Sequence, residues 1–334
     1  MFPRLSPRGG AATVPPVPAH PGPTAPCILA PVSSEPLVRT IRPPLPVDLR
    51  LTLAPLRHGP GDPTWRIDTQ GSWWHATRTP EGPATMRLSR TGDGVRIEAW
   101  GRGAERALAD GPDLLGARDS LEGFDPPPGP VRELHRRMPG LRVPRSGRLF
   151  ETAVPVVLAQ KVPAEEALAA YRALVRAVGE PAPGPMPLLL PPAPGALAAL
   201  PSFRYHRAGI EVRRAATIRG LAMRAERLEE AARMPMDDAS RRLRAFPGIG
   251  AWTAARVAYA ALGDADAVPV GDFHLPHAVA WLLAGRPRGD DDLMLELLAP
   301  FAGHRGRVLR LLIAAGIRAP RFGPRMPLRR IAGL

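Results

Sequence analysis

The chain has 334 residues, a formal net charge of +14 and a pI near 11.4, so its electrostatics favour a polyanionic partner. Its single cysteine, Cys27, excludes an intramolecular disulfide, a CxxC zinc site and a four-cysteine iron–sulfur cluster. No apolar run approaches the roughly 18 residues a membrane span needs, and the N-terminus lacks the apolar core of a secretory signal, so a cytoplasmic protein is expected.

Residues 1–42 are rich in Pro, Ala and Gly without periodicity and are expected to form a disordered tail. From Val47, VDLRLTLAPL alternates apolar and polar residues, and WWHATRTPEG ends in a turn signal. PATMRLSRTGDGVRIEAWG reads as two strands around Thr91-Gly92-Asp93-Gly94. This texture predicts a small antiparallel β-rich domain over 43–125, ending in a short helical stretch and the loop GFDPPPGP. Residues 126–318 read as helical. Segments 146–160 and 163–179 carry apolar residues at spacings of three and four, and Pro155 predicts a kink or a late start in the first. A proline-rich connector, EPAPGPMPLLLPPAPG, leads to 209–234, DDASRRLRAF, AWTAARVAYAALG, LPHAVAWLLAG, DDDLMLELLAP and HRGRVLRLLIAAG. Asp237 or Asp238, and Asp290 or Asp291, stand where helix caps belong. The expected fold class is α+β, mainly α: a β-rich domain, then an all-α array of roughly seven helices, then a basic tail at 319–334.

Within that array, FPGIGAWTA (Phe246–Ala254) places Pro-Gly-x-Gly between two helix formers. Glycines there permit unusual φ values and remove side chains that would hold a neighbour away from the backbone. Amides of Gly248, Gly250 and Ala251 would then face outward at the positive end of the second helix, an arrangement suited to a phosphate oxygen. Ile249 would tuck inward. A plain turn between two helices is the competing reading. About twenty residues on, VPVGDFHLPHAVAWLL puts Asp272 at the start of a helix. An ordinary N-cap explains an aspartate there, but its place one helix and one loop after the hairpin allows it to face the same groove.

This segment resembles the helix-hairpin-helix DNA glycosylases, whose hallmark is such a hairpin followed by a Gly/Pro-rich loop and an aspartate. Similarity is greatest to the bacterial 3-methyladenine DNA glycosylase II type. VVLAQKVPAEEALA (156–169), LAPFAGHRGRVLRLL (298–312), DPTW and WWHATRTPEGPATMRL also resemble it, so the likeness covers roughly 43–318. It implies hydrolysis of the N-glycosidic bond of alkylated purines such as 3-methyladenine and 7-methylguanine in double-stranded DNA, after base flipping, by a monomer without a required cofactor. Asp272 would supply the carboxylate beside the sugar, where oxocarbenium character develops. Trp252 would line the base pocket and favour a cationic purine; Trp281 has the spacing of a core residue. Gly248, Ile249, Gly250, Ala251 and Thr253 would grip the DNA backbone, and carbonyls of Arg244, Phe246 and Ile249 would hold a structural monovalent cation that bridges to phosphate.

In relatives that cleave the strand, a lysine occupies the hairpin position that is Trp252 here, and the sole lysine of this chain, Lys161, lies in another loop. A monofunctional glycosylase is therefore expected. Gln160 and Lys161 stand where the family places a wedge that fills the gap left by a flipped base. Arg305 and Arg307, with Arg213 and Arg214, are candidate phosphate contacts. Two alternatives remain open: a non-catalytic hairpin module that only grips DNA, and a related glycosylase for oxidised or mismatched bases.

Overall fold

The computed structural model describes residues 35–92 and 94–320. Most of the expected N-terminal tail, residues 1–34, and the tail from 321 onward lie outside the described residues. Among the described residues, five strands form one antiparallel sheet in the order β1-β5-β4-β3-β2. They are β1 (Leu37–Ile41), β2 (Trp65–Ile67), β3 (Trp73–Thr79), β4 (Gly82–Thr91) and β5 (Gly94–Trp100). The β4–β5 hairpin turns where the sequence placed it, with Thr91 opposite Gly94 and Met86 opposite Ala99. β1 corrects the expectation of disorder through residue 42, since its five residues pair along the edge of β5.

A second correction concerns VDLRLTLAPL. It is not a strand but helix α1 (Leu49–Leu53) followed by a 3₁₀ turn. Asp48 explains the choice: its Oδ1 accepts the Leu51 N–H at 2.9 Å, a cap that a strand could not use. Leu49 and Leu53, four residues apart, then share one buried face. With α2 (Ala104–Leu114) they cover Met86, Leu88, Val95 and Ile97 on one side of the sheet.

The other side is covered by the proline-rich segment, which closes on itself through a Pro181–Leu189 bridge. It lays Leu188 and Leu190 against Trp74 and Trp100, whose rings stack at 5.3 Å. A stretch that reads as a connector is thus the second layer of the β region, and it ties sheet to helices.

The helices continue with α3 (Pro130–Arg137), α4 (Leu149–Leu158), α5 (Ala164–Val178), α6 (Pro194–Ala199), α7 (Ser202–Arg207) and α8 (Val212–Ala222). Beyond them lie α9 (Ala225–Glu229), α10 (Met236–Arg244), α11 (Ala251–Val257), α12 (Leu275–Ala284), α13 (Asp291–Leu298) and α14 (Arg305–Ala314). α4 starts early and carries Pro155 inside it. The predicted 209–234 helix breaks at Met223–Arg224, because α9 turns to bring Glu229 onto the N-terminus of α4. There its carboxylate accepts the Leu149 and Phe150 N–H groups at 3.1 and 2.8 Å. Asp290 caps α13 as expected. Asp237 and Asp238 instead sit in the first turn of α10, whose cap residue is Pro235.

Candidate DNA-facing hairpin, aspartate and base cavity

α10 and α11 are joined by the exposed turn Pro247–Gly250, from which Ile249 points inward. Phe246 and Ile249 are both 5 % exposed, and such burial contributes about 2 kcal/mol per side chain. Gly248 has φ +85°, and a Cβ there would stand 2.2 Å from Thr217 Oγ1. The close neighbour of this glycine is therefore the protein's own α8. Gly250 differs: its φ of −86° suits any residue, and an added Cβ would meet nothing. Its bare backbone faces open space beside the first-turn amides of α11, which have no intrahelical partners.

These two glycines separate stability from binding. Gly248→Ala should cost about 2–3 kcal/mol from overpacking and a strained φ, seen as a lower denaturant midpoint. Gly250→Ala should leave that midpoint within about 0.5 kcal/mol while weakening duplex binding.

Gln160, at the end of α4, donates from Nε2 to the Gly248 carbonyl and to Thr253 Oγ1, both at 2.9 Å. It braces the hairpin, and Thr253 is 2 % exposed beneath it. Thr253 therefore supports the turn from inside and does not present its side chain to DNA. Lys161 is exposed at φ +55°, the only non-glycine residue with positive φ among the described residues. The carbonyl of Phe246 accepts the Ile249 N–H at 3.0 Å; Arg244 is the last residue of α10, and Ile249 lies in the turn. No cluster of metal-binding side chains occurs among the described residues.

The arginines expected at phosphates are largely engaged within the protein. Arg307 is 1 % exposed and paired with Asp119, so it belongs to the core. Arg305 is bound by Asp266, through Nε to Oδ1 at 2.9 Å and through Nη2 to Oδ2 at 2.5 Å. Arg214 is buried against Glu166, whereas Arg213 is exposed. A one-dimensional reading misses this, because the partners lie 39 and 188 residues away.

Asp272 follows the left-handed Gly271 (φ +89°), whose N–H is held by both carboxylate oxygens of Asp291. Its Oδ1 accepts the N–H groups of His274 and Leu275 at 2.8 and 3.0 Å, so it does cap α12. Its Oδ2 accepts the indole N–H of Trp252 at 2.8 Å. Two elements twenty residues apart thereby fix one carboxylate in both position and rotation. Trp252 is half-buried, whereas Trp281 is 41 % exposed and does not have the core place its spacing suggested.

A cavity of about 370 Å³ opens where the β region meets the helices; α11 gives it Ala255 and Arg256, whereas Trp252 and Asp272 are not in its lining. Its size falls in the range of small-ligand pockets, about 300–1,000 Å³. Its walls come from the α1–β2 segment, β3, α4, α5, α11 and α14. Trp65 stacks on His75 at 3.8 Å, and His58 meets the edge of Tyr171 at 4.9 Å. Glu151 reaches from α4 to the sheet, accepting from His75 Nε2 at 3.2 Å and Thr77 Oγ1 at 2.8 Å. Although burial opposes it, the bonds from His75 and Thr77 hold the Glu151 carboxyl below the usual carboxylate range. Burial pushes His58 below the usual imidazole range. On α11, Arg256 stands one turn beyond Trp252 with its guanidinium 5.6 Å over the indole. Sequence analysis expected a base pocket at Trp252; the cavity takes Ala255 and Arg256 from that helix instead, and its other walls come from segments too far apart in the chain for a local pattern to reveal.

No family model matches the sequence, and neither does any curated protein. Solved structures do. The chain is similar to a 3-methyladenine DNA glycosylase from Archaeoglobus fulgidus, with 20 % identity and a TM-score of 0.69 over 82 % of this chain and 97 % of that one. It is similar to MBOgg1 in complex with a low-affinity DNA ligand, with 17 % identity and a TM-score of 0.67 over 85 % and 97 %. A third likeness is to the Clostridium acetobutylicum 8-oxoguanine glycosylase/lyase in complex with double-stranded DNA, with 13 % identity and a TM-score of 0.63 over 85 % and 99 %. The chain shares the fold of these solved structures.

Proposed function

We propose that the protein is a monofunctional DNA glycosylase of base-excision repair. One observation carries this reading: Asp272, fixed by two backbone amides, is bonded to Trp252 on the helix that opens at the exposed hairpin, and the same helix carries Arg256 into the wall of a cavity of base size. Structural neighbours with that fold act on or bind DNA according to their descriptions, which supports the same substrate here.

In the proposed mechanism the hairpin amides around Gly250 take a backbone phosphate, and the target nucleotide turns out of the stack into the cavity. Lys161, exposed in its left-handed loop, fills the gap; Gln160 is held to the hairpin and serves as its brace. The C1′–N bond then breaks with its electron pair passing to the base. Positive charge grows on the sugar and is stabilised by the Asp272 carboxylate. Water adds its oxygen to C1′ and yields a proton, which a base that was neutral takes up on leaving and which passes to solvent when the base was cationic.

Position 252 offers an indole where strand cleavage would need an amine, so the abasic product should remain unbroken. The resemblance to 3-methyladenine glycosylase II implies alkylated purines as substrates; the cations lining the cavity favour the other glycosylase reading, developed below. Duplexes bearing single damaged bases test the activity. Strand breaks should appear only after alkali, and borohydride should trap no covalent adduct. A trapped adduct would refute the monofunctional assignment, and tight binding without release from any duplex would favour a non-catalytic module.

A further inference from the structure

We propose that the cavity selects a neutral damaged base bearing exocyclic oxygen acceptors, such as an oxidised or deaminated purine, over a cationic alkylated purine. This rests on the glycosylase reading above and names its substrate class. Arg57, Arg256 and Arg310 line the cavity, and Glu151 is the one carboxylate in its wall. Glu151 is already committed to His75 and Thr77.

Arg256 carries the argument. It makes no hydrogen bond to any described residue, yet its side chain is solvent-accessible on the cavity wall. Its guanidinium lies 5.6 Å over the Trp252 indole, so one residue joins the cavity wall to the side chain that orients Asp272. Nearby, the Tyr259 hydroxyl and Arg310 Nε are buried without a hydrogen-bond partner, and both residues line the same cavity. Buried donors left unpaired are costly, so a wall of this kind stands ready for acceptors. Carbonyl oxygens on a base supply them. A cationic purine instead brings a fourth positive charge into a partly desolvated space.

The same donors address the chemistry. An alkylated purine departs easily because the broken bond neutralises its charge. A neutral base takes on negative charge as it departs, and guanidinium and hydroxyl donors aimed at its oxygens stabilise that charge. The water that adds to C1′ supplies the proton the base finally carries.

Single-turnover release from duplexes carrying one hypoxanthine, one 8-oxoguanine or one 7-methylguanine tests the inference. Wild type should release one of the two neutral bases at least about 10-fold faster than 7-methylguanine, which keeps the O6 acceptor but is cationic in the duplex. Arg256→Gln should lower that preferred rate by about 10- to 100-fold and narrow the preference, because a site built to hydrogen-bond its substrate discriminates through those bonds. Tyr259→Phe, which removes only an unpaired hydroxyl, should lower it in the same direction while leaving the melting temperature unchanged. Faster release of 7-methylguanine by wild type, or an equal loss on all three duplexes in Arg256→Gln, would overturn the substrate class and leave the glycosylase reading standing. Failure to release any of the three, with the protein folded and DNA bound, would overturn both.

Discussion

Asp272→Asn should lower the rate of base release by about 10²–10³-fold, the range found when one preorganised electrostatic group is removed from an active site. Duplex affinity should stay within a few-fold of wild type. The substitution preserves shape and removes charge. An asparagine carbonyl can still accept the His274 and Leu275 amides that Asp272 Oδ1 accepts, so the α12 cap survives. The amide NH₂ then faces the Trp252 N–H, donor against donor, where the carboxylate had accepted at 2.8 Å. A modest loss of stability of about 1 kcal/mol should accompany the loss of rate. Single-turnover assays separate the two effects, since thermal denaturation reads the cap and the rate reads the charge. Unchanged release would leave Asp272 as a helix cap and nothing more. Trp252→Phe gives the complementary result: the carboxylate stays but loses its orienting bond, so the rate should fall by less than in Asp272→Asn.

Legibility in the sequence followed interaction range. The β4–β5 hairpin, the Asp290 cap and the glycine turn were visible because each is set by residues within a few positions of one another. The alternating leucines of 47–56 misled, because Leu49 and Leu53 fit a helix face as well as a strand face, and the Asp48 cap decided between them. The proline-rich segment gave no sign that it would cover Trp74 and Trp100, a contact that only the folded sheet creates. At the site, Asp272 stood out by its spacing from the hairpin and Trp252 by resemblance, but the bond between them was not legible. The cavity was illegible for the same reason, since its wall draws on segments from Ala54 to Ile313. Charge was the least legible property of all. A count of arginines reveals basicity, but not which guanidiniums are already matched to carboxylates.

Arg307 puts that last point to a test. Arg307→Met should destabilise the protein by about 3–5 kcal/mol, the cost of breaking a buried ion pair from one side. Both Arg307 and Asp119 have side chains 1 % exposed. Arg307 Nη1 donates to Asp119 Oδ2 at 3.0 Å, Nη2 donates to Asp119 Oδ1 and to the Ser120 carbonyl, and the guanidinium lies 5.5 Å over Phe124. Asp119 also accepts the Val143 N–H at 3.1 Å, with Arg142 3.9 Å away, so the pair fastens α14 to the loop after α2. Methionine fills much of the arginine stem but strands the carboxylate. Changing Asp119 to Leu in the same protein should recover only part of the loss, because it removes the stranded carboxylate but takes the counter-charge from the buried Arg142. Measured at a temperature where the variant is folded, the salt dependence of duplex binding should match that of wild type, since a guanidinium bound inside the core releases no counterions from DNA. A reduced salt slope with unchanged stability would instead return Arg307 to the phosphate contacts. Because α14 also carries Leu309, Arg310 and Ile313 into the cavity wall, loosening this pair should slow base release even though Arg307 touches no base.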